Sequence, residues 1–230
     1  LTRINKSIDS GDFYENKQLL NAIDLASKNN RTLHLIGLIS NGGVHSSIDH
    51  LIALCHFAKE KNLHKVAIHA FTDGRDCDPK SGLNFITKLE DEIKDGPCKI
   101  VSIIGRYYAM DRDQRWERIK KAYDLLTKGK GKEYKSANEA IKDAYQSGIT
   151  DEFIKPLVKV DKNDEAIGNV KKGDVVLFFN FRTDRGRQLT KCLTQEKFDE
   201  FITEKDKYHF VTLTNYDKSL SGIHIIFENK

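Results

Sequence analysis

The sequence has no apolar run near the ~20 residues that a membrane-spanning helix needs. Of its 230 residues, 39% are hydrophobic and 31% are charged, a balance typical of a soluble globular chain with a substantial core. No basic and then apolar leader opens the sequence, so nothing predicts secretion, and we expect a cytoplasmic protein. The chain begins at Leu1 rather than at a methionine, which indicates a fragment, a trimmed form or a processed protein.

Cysteine is scarce and carries no recognisable spacing. The four cysteines include no CxxC pair; they are Cys55, Cys77, Cys98 and Cys192. We therefore expect free thiols in a reducing compartment rather than a disulfide framework or a zinc site. No HExxH pair is present, and "MDRDQ" lacks the spacing of a calcium loop. The sequence thus predicts that no residue of this chain binds a metal.

Motifs for nucleotide phosphates are missing as well. Neither GxxxxGK[ST] nor GxGxxG occurs. The net charge is +4, from 38 Lys and Arg against 34 Asp and Glu, which is too small an excess to favour nucleic acid by itself. We therefore expect neither a nucleic-acid partner nor a membrane partner.

What the sequence does contain is an alternation of apolar strands and amphipathic helices. Strand patterns cover residues 32–39, 65–71, 99–105, 174–181, 208–216 and 223–228. Helical spacing of apolar residues covers 19–26, 47–62, 85–93, 116–126 and 183–203. This order predicts a three-layer α/β/α fold with a mixed, mostly parallel sheet, in which we allow for antiparallel last strands.

Residues 129–173 interrupt this alternation. "KGKGKEYKS" reads as a polar loop, and a short helix is expected from Ser136. "FIKPLVKV" is a weak strand pattern, and Pro156 argues that this strand lies at a sheet edge. We therefore interpret residues 1–230 as one domain with 129–173 as an elaboration.

Loops of unusual chemistry follow four of the predicted strands. They are "SNGGVHS" with His45, "TDGRDCDPKSG" with Arg75 and Asp76, "RYYAMDRDQRW" with Arg106 and Arg112, and "RTDRGR" with Arg182 and Arg185. Any one of these arginines is more often a salt-bridged surface group than a ligand contact. In parallel α/β sheets, however, such loops meet at the carboxyl edge, where ligands bind. Because arginine grips carboxylate and phosphate with paired hydrogen bonds, the loops together predict an anion pocket.

The other histidines carry less functional signal. His34 and His69 fall inside predicted strands, and we expect them to be buried packing residues.

The loop sequences also resemble a known family. "NGGVHS", "TDGRDCDPKSG", "IGRYYAMDRDQRW", "FNFRTDRGRQL" and "TLTNYD" appear in the order and spacing of cofactor-independent (2,3-bisphosphoglycerate-independent) phosphoglycerate mutases. The similarity runs over essentially the whole chain. Members of that family insert a phosphotransferase domain into a metal-binding phosphatase domain. This chain resembles the insert, 1–230, with the phosphatase domain absent.

The resemblance implies a set of site residues. The implied substrate-binding residues are His45, Arg75, Asp76, Arg106, Arg112, Arg182 and Arg185. Asp76 is implied as a catalytic proton shuttle, because an aspartate beside arginines is ionised and can accept a proton. His45 is implied either to assist catalysis or only to orient the phosphate. The chain departs from the family pattern at two positions. Thr183 stands where the family usually has proline, and Gly186 stands where it often has alanine.

The resemblance further implies an isomerase of glycolysis and gluconeogenesis. Such an enzyme interconverts 3-phosphoglycerate and 2-phosphoglycerate through a phosphoserine intermediate on the phosphatase domain. Two divalent metals, typically manganese, belong to that domain and none to residues of this chain. The implied partners are the phosphoglycerates and the phosphatase domain of the same polypeptide. A non-catalytic module that binds a small phosphorylated acid remains the alternative. Nucleic-acid binding is disfavoured because aspartates are interleaved with the arginines.

Overall fold

The computed structural model describes residues 1–228, and its centre is an eight-stranded sheet. The strands are β1 Leu33–Ile39, β2 Val66–Thr72, β3 Cys98–Gly105, β4 Lys132–Tyr134, β5 Leu157–Lys159, β6 Val175–Phe178, β7 His209–Thr214 and β8 Ile223–Phe227. Their order in the sheet is β4-β5-β3-β2-β1-β6-β7-β8. Every residue of β1, β2 and β6 is buried, as expected for parallel strands covered on both faces.

Helices cover both faces of this sheet. They are α1 Thr2–Ser10, α2 Lys17–Lys28, α3 Ile48–Glu60, α4 Gly82–Ile93, α5 Arg106–Ala109, α6 Trp116–Lys128, α7 Ala137–Gln146 and α8 Arg187–Thr194. Short 3-10 turns occupy Asp12–Glu15 and Asp151–Phe153. Among residues 1–228, no helix has the length and apolar character needed to cross a membrane.

The two faces have separate cores because strand side chains alternate. In β1, Leu35 and Ile39 belong to the core shared with α1 to α4 and α7. Ile36 and Leu38 belong to the core shared with α5, α6 and α8. The three-layer architecture is therefore confirmed.

The antiparallel strand is not where we expected it. The last strands β6, β7 and β8 run parallel to one another, whereas β5 runs antiparallel to β3. The expectation was wrong because a burial pattern reports which side chains face the core and carries no information on strand direction.

Residues 129–173 also differ from the expectation in two respects. The segment interpreted as a polar loop contains the edge strand β4, and β5 lies between β4 and β3 rather than at the edge. Pro156 stands just before β5, so its missing N–H removes no bond within that strand, and its carbonyl accepts from Lys132 N at 2.9 Å. The helix from Ser136 is confirmed, with Ser136 as its N-cap.

The helix predicted over 183–203 is shorter in the structure and ends at Thr194. The apolar residues that suggested a longer helix instead form an aromatic cluster, in which the Phe198 ring lies 4.8 Å from Phe201 and 5.3 Å from Trp116. The strand predicted over 174–181 ends at Phe178, and Phe181 N instead donates to the His45 carbonyl at 2.8 Å. All four cysteines are free thiols, as expected.

Candidate functional site

The loops that carry the candidate residues follow β1, β2, β3 and β6, which are neighbours in the sheet and mutually parallel. Their carboxyl ends therefore share one edge, as expected. The backbone ties two of these loops together, because the His45 carbonyl accepts hydrogen bonds from Phe181 N at 2.8 Å and Arg182 N at 3.3 Å. Ser46 Oγ donates to the Leu38 carbonyl at 2.5 Å and fixes the turn after β1.

His45 is buried in the middle of this loop cluster. Its Nε2 lies 3.2 Å from Arg106 Nη2 and 3.8 Å from Asp76 Oδ2. Burial, and after it the charge of Arg106, lowers the pKa of His45 from its usual 6.5 to about 4. The ring is therefore neutral at neutral pH. Since a guanidinium only donates, Nε2 is the acceptor and the proton is assigned to Nδ1.

Asp73 is the buried anchor of the loop after β2, and sequence reasoning did not select it. Its Oδ1 accepts from Arg75 N at 3.1 Å, Asp76 N at 3.0 Å and Arg106 Nη1 at 2.9 Å, and its Oδ2 accepts from Ser40 Oγ at 2.7 Å. Burial by itself raises the pKa of Asp73. The bonds from the Asp76 amide and Ser40, with the Arg106 charge, outweigh burial and hold that pKa below its usual value.

Arg106 is buried and pairs with two carboxylates. Besides the bond to Asp73, its Nη1 donates to Asp76 Oδ2 at 2.7 Å. The guanidinium thus holds Asp76, whose side chain is 19% exposed, beside His45. The role of Arg106 as a direct substrate contact stays a prediction, since both of its terminal nitrogens already have partners inside the protein.

Arg112 and Arg182 stand at the exposed rim and share Asp184. Arg112 Nη1 donates to Asp184 Oδ2 at 2.8 Å, and Arg182 Nε lies 3.0 Å from Asp184 Oδ1. Burial by itself raises the pKa of Asp184, but the bond from Arg112 and the charge of Arg182 outweigh it and hold that pKa low. Asp184 was also missed. Its position between two arginines in "RTDR" is the signal that points to it.

The remaining two arginines lie around this group. Arg185 Nη1 donates to the Met110 carbonyl at 3.1 Å. Burial, followed by the charges of Arg106 and Arg112, lowers the pKa of Arg185, so these cations lie within electrostatic reach of each other. Arg75 is 62% exposed and lies 3.5 Å from Glu152. The fold therefore gathers all seven candidate residues at one sheet edge.

Two glycines permit the close packing of the site. A Cβ at Gly42 would lie 2.9 Å from Asp76 Cβ, so the loops after β1 and β2 meet without space for a side chain. A Cβ at Gly186 would lie 2.6 Å from Tyr216 Cε2. The alanine that the family often carries at Gly186 therefore requires a different placement of the Tyr216 ring.

The site residues do not fit a metal centre. Within residues 1–228, no group of three or more His, Cys, Asp or Glu side chains is arranged to hold a metal ion. Asp73 and Asp76 are already paired with Arg106.

Fold and site together define an α/β domain with an arginine-rich loop cluster at the carboxyl edge of its sheet. The chain belongs to the family described as the BPG-independent PGAM N-terminus, whose model matches residues 4–218.

Curated relatives extend this similarity to nearly the whole chain. A 2,3-bisphosphoglycerate-independent phosphoglycerate mutase of Flavobacterium psychrophilum is 48% identical over 227 residues, which cover 99% of this chain and 45% of that protein. The protein of the same name from Clostridioides difficile is 50% identical over 230 residues, covering 99% of this chain and 44% of that protein. The chain thus spans a little less than half the length of these relatives.

A solved structure supports the fold independently. The crystal structure of Leishmania mexicana phosphoglycerate mutase at low cobalt concentration superposes with a TM-score of 0.86 at 31% identity. The superposition covers 94% of this chain and 41% of that one.

Proposed function

We propose that this chain is the phosphotransferase, glycerate-binding domain of a mutase that interconverts 3-phosphoglycerate and 2-phosphoglycerate. The observation that carries the proposal is the cluster of arginines around His45 and Asp76 in a chain of this family. Residues 1–230 form the domain, with 129–173 as its elaboration. The metal-binding phosphatase domain is the remaining part of the same polypeptide.

The arginines match the charge of the proposed substrate. A monophosphoglycerate carries a carboxylate and a phosphate, and both need cationic hydrogen-bond donors. Arg112 and Arg182 are 46% and 47% exposed, so they are available at the rim. Arg185 lies within electrostatic reach of Arg112 and adds positive potential. These side chains would hold the glycerate while its phosphoryl group is removed and returned.

Asp76 is the proposed proton acceptor for the glycerate hydroxyls. Its Oδ2 is held by Arg106 at 2.7 Å, whereas its Oδ1 makes no hydrogen bond within residues 1–228. This oxygen would accept the proton of a glycerate hydroxyl. His45, neutral and with its proton on Nδ1, contributes a donor that would orient the phosphate.

The rest of the polypeptide would supply the phosphoryl-transfer chemistry. Two divalent metals, with manganese implied by the family resemblance, would neutralise charge on the transferring group there. A glycolytic and gluconeogenic role in the cytoplasm follows from this proposal.

Asp76→Asn in the full-length protein tests the proposed role directly. Asparagine keeps the size and one acceptor but removes the base, so we expect a severe loss of kcat with a smaller change in KM for 3-phosphoglycerate. The matched control is Asp113→Asn, which neutralises a 59% exposed carboxylate paired with Arg115 at 2.9 Å. A loss confined to KM would make Asp76 a binding residue only. A full-length protein without mutase turnover would overturn the proposed function.

A further inference from the structure

Asp184 lies between side chains from three loops of the site. Its Oδ2 accepts a hydrogen bond from Arg112 Nη1 at 2.8 Å, and its Oδ1 lies 3.0 Å from Arg182 Nε. The same Oδ1 is 4.0 Å from His45 Nδ1, the ring nitrogen that carries the proton. One carboxylate therefore pairs with arginines from the loops that follow β3 and β6, and it lies beside His45 in the loop that follows β1.

Arg112 and Arg182 each place one guanidinium nitrogen within ion-pair distance of Asp184. Within residues 1–228, the other guanidinium nitrogens of Arg112 and Arg182 make no hydrogen bond. A guanidinium carries five N–H donors in a planar fork. Most of each fork is thus left for an incoming anion, while one nitrogen of each guanidinium pairs with Asp184.

The negative charge of Asp184 also offsets the repulsion between the positive charges of Arg112 and Arg182. Arg112 and Arg182 both approach one carboxylate, so they lie near each other. Like charges at this range favour conformations in which the side chains swing apart into solvent. The Asp184 side chain is 24% exposed, so it is set back from the rim that the arginines occupy.

We propose that Asp184 is a positioning residue, which holds Arg112 and Arg182 in the arrangement that receives the substrate anion. This inference rests on the proposed function. Asp184 does not touch the glycerate; its effect is exerted through the two arginines. Because they are ordered before substrate arrives, binding does not have to order them.

The first test is Asp184→Asn in the full-length protein, measured as mutase kinetics with 3-phosphoglycerate. Asparagine is isosteric but has no charge, so we expect KM to rise on the order of tenfold, with a smaller change in kcat. Asp184→Glu restores the charge and should recover part of the affinity. An unchanged KM would overturn the proposal, and a loss confined to kcat would place Asp184 in the chemical step instead.

Asp217→Asn is the matched control for charge. Asp217 lines the same cleft as Arg112 and Asp184, but its carboxylate bonds to Ser219 at 2.7 Å. Removing this charge should leave KM within about twofold, because within residues 1–228 Asp217 forms no ion pair with Arg112 or Arg182. An equal effect of both variants would mean that only the overall charge of the cleft matters, which contradicts a positioning role.

A double-mutant cycle separates positioning from direct contact. If Asp184 acts through Arg112, the effect of Asp184→Asn on phosphoglycerate affinity should shrink in the Arg112→Ala background. Calorimetric titration with 3-phosphoglycerate gives this affinity without relying on turnover. Additive effects would show that Asp184 does not act through Arg112. An active wild-type protein whose Asp184 variants bind normally would overturn this inference alone. An inactive wild-type protein would remove the proposed function as well.

Discussion

Arg106 and Arg182 come from similar sequence contexts but occupy opposite environments. Each follows the apolar run of a strand, yet the Arg106 side chain is 3% exposed and the Arg182 side chain is 47% exposed. Arg106 is the counter-ion of the fully buried Asp73, at 2.9 Å. Within residues 1–228, Arg182 forms its ion pair with the half-buried Asp184. The two arginines should therefore contribute differently to stability and to binding.

We expect Arg106→Ala to destabilise the fold and Arg182→Ala to leave it intact. Removing Arg106 leaves the Asp73 carboxylate buried without a counter-ion, a change that typically costs about 3–5 kcal/mol in the free energy of unfolding. Removing Arg182 should instead weaken kcat/KM of the full-length protein by an amount equivalent to about 2–5 kcal/mol. Urea unfolding and mutase kinetics on both variants check this. Equal stability losses, or near-normal kcat/KM for Arg182→Ala, would contradict the assignment.

At the scale of the elements, a buried chain of hydrogen bonds crosses the sheet at some distance from the site. His34 Nε2 bonds to Asp174 Oδ2 at 2.7 Å, His34 Nδ1 to His69 Nε2 at 2.9 Å, and His69 Nδ1 to Ser102 Oγ at 2.7 Å. The expectation that both histidines are buried is confirmed, but they are hydrogen-bonded rather than simply packed. These hydrogen bonds connect β3, β2 and β1 with Asp174, the residue before β6.

The protonation states of these hydrogen-bonded side chains follow from their burial and from their neighbours. Burial lowers the pKa of His34 and, together with the charge of His34, lowers the pKa of His69 well below its usual 6.5. Burial by itself raises the pKa of Asp174, but the His34 bond and backbone bonds outweigh it and hold that pKa low. With both rings neutral, each bond has one direction: Ser102 donates to His69, His69 to His34, and His34 to Asp174.

We therefore expect stability to fall as the pH drops below about 6.5. The unfolded histidines protonate there while the folded ones stay neutral, so the unfolded state binds more protons and is favoured. Each buried histidine then contributes up to about 1.4 kcal/mol per pH unit. His45, with a folded-state pKa of about 4, adds to this loss of stability over the same pH range.

Urea unfolding at several pH values between about 5 and 7.5 measures this dependence. His69→Gln keeps a hydrogen-bonding side chain but cannot titrate, so its stability should depend less steeply on pH. His56→Gln is the control, because His56 is 56% exposed and pairs with Glu92 on the surface. A slope that is unchanged in His69→Gln would show that this histidine does not produce the effect.

At the scale of the whole molecule, the chain has complete cores on both faces of its sheet but spans less than half of its relatives. We expect the isolated chain to fold cooperatively and to show no mutase turnover, with or without manganese. Its affinity for phosphoglycerate should be low, because exposed arginine contacts are screened by salt.

A coupled activity assay and a calorimetric titration with manganese test this expectation, with the full-length protein as the positive control. Turnover by the isolated chain would locate the catalytic groups within it. A tight stoichiometric manganese site would contradict the assignment of the metals to the other domain. Tight binding of phosphoglycerate without turnover would favour the alternative of a binding module.

The sequence by itself determined the layers and the edge at which the site lies. The apolar periodicities of β1, β2, β3 and β6 report burial locally, and the loops that follow parallel strands must meet at one edge. The strand order, the antiparallel direction of β5 and the edge position of β4 depend on pairings between distant residues, which a local pattern does not encode.

The tertiary structure alone decided what each polar side chain of the site does. "RTDR" and "GRYYAMDRD" both predict arginines at strand ends, but only the fold shows Arg106 buried against Asp73 and Arg182 exposed beside Asp184. The partners His34 and Asp174 are 140 residues apart in sequence. The physical reason is that hydrophobic burial is set by each segment's own composition, whereas a buried hydrogen bond exists only where two segments meet in the correct register.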